Sequence, residues 1–315
     1  MRFALAVLPI LWLVRVVHWR DVGARAAQVG ARGIALSALA AFGSLCVGAL
    51  RWRVMLGTYG ADPAKVPGVF TLLRHNVVGQ YFSVLPTGIA GEFVRGFRVQ
   101  HCLPRASTSY VLLFVERIAG LLGLVLVAGL GAIYSPSGRS DVLARTMNVG
   151  VVLAIGLVAL MFVLPQLRSR SASVARFIQR LPIVGRPLSA IPAPNGILGP
   201  IAAVFLSIAS QLCVVGTAAA LIAPLAPQAT LGVCARVVPA IILVTYIPVT
   251  PGALGQREIA FVQFFGREGV DPAAAVAASI LMFSVMLLLS LVGGIVLALE
   301  RAWGVSTSPP PQSSS

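Results

Sequence analysis

Tyr81-Phe-Ser-Val-Leu-Pro86-Thr-Gly88-Ile-Ala-Gly91-Glu92-Phe-Val-Arg95-Gly-Phe-Arg98 begins as an apolar helix and cannot continue as one. Proline lacks the amide donor of the helical ladder and collides with the preceding turn, so the helix breaks at Pro86. Gly88 and Gly91 then allow backbone or ligand to approach closely, and a new helix can start with its first N–H groups unpaired. The stretch Tyr246-Ile-Pro-Val-Thr250-Pro251-Gly252-Ala-Leu-Gly255-Gln-Arg257-Glu258 follows the same plan: a tyrosine five residues before a proline, two glycines three apart, then charge. Thr250 is placed there as an N-cap, with Pro251 at the first helical position. Aligning the two prolines puts the first glycine one position out of step and leaves the acidic residues out of register.

The rest of the chain says what surrounds these breaks. Of its 315 residues, 58% are hydrophobic and 10% charged, and the mean hydropathy is +0.93. Soluble domains carry roughly a quarter charged residues to coat a wet surface, which a lipid-facing surface does not need. Apolar runs lie near 3–19, 33–50, 67–85, 109–134, 148–164, 197–222, 231–249 and 274–299. At about 20 residues per crossing, these runs and their links use nearly the whole sequence. The expected fold is therefore all-α, a polytopic integral membrane helical bundle of about eight spans. Two of the helices are broken or re-entrant, and the paired breaks suggest an internal two-fold repeat. One transmembrane domain covers 1–304, in halves of about 1–135 and 145–304, and the Pro- and Ser-rich tail 305–315 is expected to be disordered. The first run reads as a span and not a signal peptide, since no small-residue cleavage site follows it.

The net charge of +15 comes from 24 basic and 9 acidic residues, with Lys65 the single lysine. The arginines gather in short links between apolar runs, the pattern of loop orientation and anionic headgroups and not of nucleic-acid binding. The link from Arg168 to Arg186 holds five arginines and no acid, which predicts a cytoplasmic position; the uncharged link Ala223 to Gln228 suits the opposite face. The orientation of the N-terminus stays open. The four cysteines and three histidines form no disulfide or metal-ligand spacing, so neither metal nor cofactor is expected.

Charges inside apolar runs cost at least about 2.5 kcal/mol each and must face a partner or a cavity. Glu92, Arg95 and Arg98 fall at i, i+3 steps along one helical face. With the helix N-terminus after the break they form a receptor for phosphate or carboxylate. Arg257 and Glu258 follow the second pair of glycines. Arg74, His75 and Asn76 interrupt the third run, and Glu116 with Arg117 the fourth. Adjacent helical residues point apart, so Glu116 and Arg117 need partners elsewhere, among Glu92, Arg95, Arg98, Arg257 and Glu258. Two plainer readings remain beside this one: ion pairs that only hold helices together, and prolines that mark interfacial turns. The pairing of the breaks favours a midplane transport site, with Arg74 and Asn76 added to its polar residues.

The Arg51-Trp52 pair, Leu85-Pro86-x-Gly88-x-x-Gly91-Glu92-x-x-Arg95, Glu116-Arg117 and Pro251-Gly252-x-Leu254-Gly255-x-x-Glu258 resemble, in order, the transmembrane flippase-like region of lysylphosphatidylglycerol synthases and their stand-alone relatives. The resemblance runs from the first span to about residue 300 and implies translocation without the synthase domain. The expected activity is flipping of an anionic or zwitterionic lipid, either a phospholipid or a polyprenyl-linked glycolipid, in a prokaryotic plasma membrane. An intramembrane transferase acting on a lipid-linked substrate and an accessory subunit of a lipid-modifying enzyme are the alternatives.

Overall fold

The computed structural model describes residues 19–83, 90–103, 106–134, 152, 156, 164–180, 192–246 and 255–303. Every regular element among them is helical: α1 Trp19–Thr58, α2 Val69–Ser83, α3 Ala90–Val99, α4 Ala106–Tyr134, α5 Leu164–Arg170, α6 Ala172–Arg180, α7 Leu198–Ile222, α8 Leu231–Thr245, α9 Gln256–Gly266 and α10 Pro272–Ala302. A single 3-10 turn, Gln100–Cys102, follows α3. α1 is kinked at Gly30, whose φ of 63° only glycine adopts readily.

Within α1, α4, α7 and α10, the stretches Val22–Thr58, Thr108–Tyr134, Leu198–Ile222 and Pro272–Ala302 are long and apolar enough to cross a membrane. They coincide with four of the expected runs. The runs at 67–85 and 231–249 instead yield helices of 15 residues each, about 22 Å long and short of a ~30 Å hydrocarbon core. The runs 3–19 and 148–164 and the tail lie wholly or almost wholly outside the described residues. Large apolar side chains such as Leu39, Phe42, Phe205, Leu288 and Ile295 stay exposed on the long helices, as a lipid-facing surface requires.

α1 and α7 are antiparallel: Gly33 lies against the Ala220 carbonyl and Gly199 against Thr58, and Ser44 shares a 3.0 Å hydrogen bond with Ser210 at the middle. The Asn195 amide donates to the Thr58 carbonyl at 2.8 Å. At this Thr58 end, the Asp62 amide donates to the Cys102 carbonyl at 2.9 Å, tying the start of α2 to the end of α3. α2 and α3 are thus an antiparallel hairpin, with Gly79 against Gly91. At the other end, Arg25 approaches Asp271 at 3.8 Å. There the Gln228 amide donates to the Gly269 carbonyl at 2.9 Å, and Arg236 pairs with Glu268 at 2.7 Å. α8 and α9 form a second hairpin, rooted at this Asp271 end.

The same plan therefore occurs twice: a long helix, a two-helix hairpin and a closing long helix. The copies run in opposite directions, so the relating pseudo-two-fold axis is perpendicular to the long helices. Packing obeys the same symmetry, because α2 lies on α10 and α8 on α4, each hairpin resting on the closing helix of the other half. Register follows too. Counted from their helix starts, Arg74 and Arg236 are both sixth in α2 and α8, and Glu92 and Glu258 are both third in α3 and α9. Aligning on the prolines misses this match because the connection between proline and helix start differs by one residue.

The first hairpin depends on small residues. A Cβ on Gly91 would strike the Gly79 carbonyl and the Ser83 hydroxyl, and one on Gly79 would lie 2.9 Å from the Arg95 stem. Gly91→Val is expected to force the helices apart at a cost of about 1–3 kcal/mol. A denaturant titration in detergent that finds wild-type stability would contradict so close a crossing.

Candidate functional site

α1, α2, α3, α4 and α7 line a half-open cavity of about 210 Å³. Its wall carries Ser44 and Arg51 of α1, Asn76, Gln80 and Ser83 of α2, Glu92 and Arg95 of α3, Glu116 of α4 and Ser210 of α7. At 1.5 Å per residue, Arg51 is about 10 Å and Ser44 about 21 Å along α1 from the Thr58 end, so the cavity lies inside the bundle and not at that end.

Its chemistry is a compact ionic cluster. Arg95 Nη2 donates to both oxygens of Glu116, at 3.0 and 2.9 Å, and Arg51 Nη2 donates to Glu116 Oε1 at 3.0 Å. Arg51 Nη1 also donates to Ser207 Oγ at 3.1 Å, and the Arg95 guanidinium sits over Trp52, 5.6 Å from the ring centroid. Arg117 Nε and Nη2 grip the two oxygens of Glu92 at 2.8 and 2.7 Å. Glu116 is 4% exposed, a burial that an ionised carboxylate tolerates only with such partners. Three guanidiniums meet two carboxylates, leaving one positive charge. Among the described residues Nε of Arg51, Nε of Arg95 and Oδ1 of Asn76 are buried with no hydrogen-bond partner. Tyr246, the last described residue before the second break, is close enough for the charges of Arg117, Glu92, Arg51 and Glu116 to act on its phenol. The C-terminal end of α8 thus approaches the first hairpin's ions.

Glu92, Arg95, Glu116 and Asn76 line the cavity, and Arg117 reaches it through Glu92. Arg98 turns away from Arg95 despite their i, i+3 spacing: its Nη1 and Nη2 donate to Glu300 at 3.0 and 2.7 Å. Arg74 joins them, 2.9 Å from the same carboxylate. Arg257 and Glu258 do not serve Glu116 or Arg117 as partners. They pair with each other at 2.7 Å, although adjacent, because the Glu258 side chain folds back to accept from the Gly255 amide at 2.7 Å, beyond the reach of the i, i+1 argument. Ser279 Oγ donates to Glu258 at 3.0 Å and accepts from Arg257 at 3.0 Å. Pro86, Gly88, Thr250, Pro251 and Gly252 lie outside the described residues. Among the described residues no three His, Cys, Asp or Glu side chains converge as metal ligands.

Not marked by the sequence were Ser207, which Arg51 binds in the cluster, and Glu300 and Glu268, the acids that pair with Arg98, Arg74 and Arg236 outside the cavity; Arg51 stood out as part of a motif. The available signal was scarcity: with 9 acids for 24 bases, every acid beside an apolar run is a candidate partner for a buried arginine.

The Arg51-Trp52 and Glu116-Arg117 motifs, far apart in the chain, meet in this one cluster. A family model described as Lysylphosphatidylglycerol synthase TM region matches residues 1–294. The chain belongs to that family. No curated protein and no solved structure matches it. The lysylphosphatidylglycerol synthase TM region match takes in every residue of the cavity wall and stops short of Glu300. It bears out the family expected from the motifs and gives the protein a membrane, lipid-related role.

The two halves of this TM region share a scaffold but not its chemistry. The positions in α9 and α10 that correspond to Arg95, Glu116 and Arg117 hold Phe261, Met282 and Phe283, and Phe261 and Met282 are buried in apolar packing. Of the acid positions in α3 and α4, only Glu92 has an acidic counterpart, Glu258. The ionic cluster is built mainly on the first half; in the second, Glu258 with Arg257 and Ser279 is the polar counterpart, and the positions matching Arg95, Glu116 and Arg117 are apolar.

Proposed function

We propose that this protein translocates a lipid with an anionic headgroup between leaflets, the headgroup passing through the cavity while the acyl chains remain in the bilayer. One observation carries the reading: an ionic cluster inside the bundle with one unbalanced positive charge and unpartnered polar atoms, built where an inverted repeat places its transport site. In this reading the two hairpins are re-entrant, entering from opposite faces and meeting at mid-depth. The Thr58 end faces the cytoplasm, because the arginine-rich link before α7 leads to it. Arg95 is the principal anion ligand, Arg51 its second, and Glu116 holds both arginines in place when no lipid is bound.

The test is reconstitution in vesicles with fluorescent phosphatidylglycerol as the probe. Arg95→Ala is expected to lower the flipping rate ten- to hundred-fold, the loss of charge-assisted hydrogen bonds worth on the order of 1.5–3 kcal/mol. Arg95→Lys should restore little, since a point charge cannot grip Glu116 and a headgroup bidentately. Unchanged flipping by a folded Arg95→Ala variant would overturn the assignment.

A further inference from the structure

Between Asp141 and Glu258 the chain contains no acidic residue, and within this interval lie α5 and α6, an element the proposed translocation does not use. The two short helices are nearly continuous: the Ala175 amide donates to the Ser171 carbonyl at 3.1 Å and the Ser171 amide to that of Leu167 at 2.8 Å. In α6 the helical period sets positions 174, 177 and 178, all apolar, opposite positions 176 and 180, both arginine. Phe177 is 65% exposed and Leu167 also lies open, and Arg170, Arg176 and Arg180 are exposed as well. Among the described residues, Arg176 Nε donates to the Ala172 carbonyl of its own helix, at 3.4 Å. The main packing partner of each helix among the described elements is the other.

A soluble surface would not leave a phenylalanine so open beside unmatched arginines, and an acidic protein partner would leave the apolar side unsatisfied. A membrane interface meets both needs, with apolar side chains at the acyl boundary and guanidiniums among phosphates. The next described helix, α7, starts at the Thr58 end, 17 residues after α6. We propose that α5 and α6 lie in the headgroup layer of an anionic leaflet, with Leu167 and Phe177 inserted and Arg176 and Arg180 binding lipid phosphates. The element would gather anionic lipid at that end of the protein, a role independent of whether the cavity translocates.

The full chain carrying Phe177→Trp is placed in vesicles of phosphatidylcholine alone or with about a quarter phosphatidylglycerol, and quenching by brominated acyl chains is read as the increment over the wild-type tryptophans. The expected result is strong quenching with phosphatidylglycerol, several-fold weaker quenching without it, and loss of the difference in high salt. The same measurement with Arg176→Ser and Arg180→Ser added should abolish the preference for phosphatidylglycerol. Quenching that is absent in both vesicles, with iodide reaching the new tryptophan, would overturn the proposal; so would equal quenching in both, which would leave an apolar anchor with no lipid preference.

Discussion

Glu300→Ala is expected to cost about 3–5 kcal/mol of stability, because it strands a buried guanidinium. Glu300 is 3% exposed and Arg98 7%, and their two parallel hydrogen bonds fix the end of α10 against the first hairpin. Arg74 is half open and can turn its charge to solvent once the acid is gone; Arg98 cannot. Removing both partners, as Arg98→Leu with Glu300→Leu, should recover most of the loss, since an apolar pair of similar volume avoids the desolvation altogether. Thermal or denaturant unfolding of the four members of this cycle in detergent measures the coupling. Equal stability of Glu300→Ala and the wild type would mean the pair is not buried as described.

The second hairpin should respond in the same way at the opposite end. Arg236 is 2% exposed and pairs with Glu268, while its Nε and Nη1 have no hydrogen-bond partner among the described residues. Glu268→Ala leaves that guanidinium with a desolvation penalty and no compensating charge, again about 3–5 kcal/mol. Arg236→Met, which keeps the volume and removes the charge, is expected to be far milder. The ordering of the two variants in the same unfolding assay is the check. If Arg236→Met proves the more damaging, backbone packing of α8 on Gly131 of α4, and not the ion pair, dominates there.

Composition alone made the helical membrane class legible, and the paired proline–glycine stretches fall in sequence between the two helices of each hairpin. The cluster was legible in part for the same reason: Glu92, Arg95 and Glu116 are too costly in an apolar run to lack a purpose. Arg98 was misread because i, i+3 spacing reports a shared helical face and not which neighbour that face meets, and α3 is wedged between two helices. Glu300 carried no local signal; its meaning comes from a hairpin some two hundred positions earlier. The repeat was legible in the paired breaks, but its register was not, because a connection of unequal length shifts the prolines by one residue relative to the helices that follow them. Four of the expected runs are long apolar helices among the described residues, and α2 and α8 hold 15 residues each.

Because α2 rests on α10 and α8 on α4, the protein cannot be assembled one half at a time. During synthesis the first hairpin emerges with Arg74 and Arg98 already committed to the membrane, yet the carboxylate that neutralises them follows about 200 residues later, a delay of about 10–40 s at ordinary elongation rates. Until α10 is made, Arg98 lacks the carboxylate it pairs with in the folded protein, and only the finished chain satisfies the first hairpin.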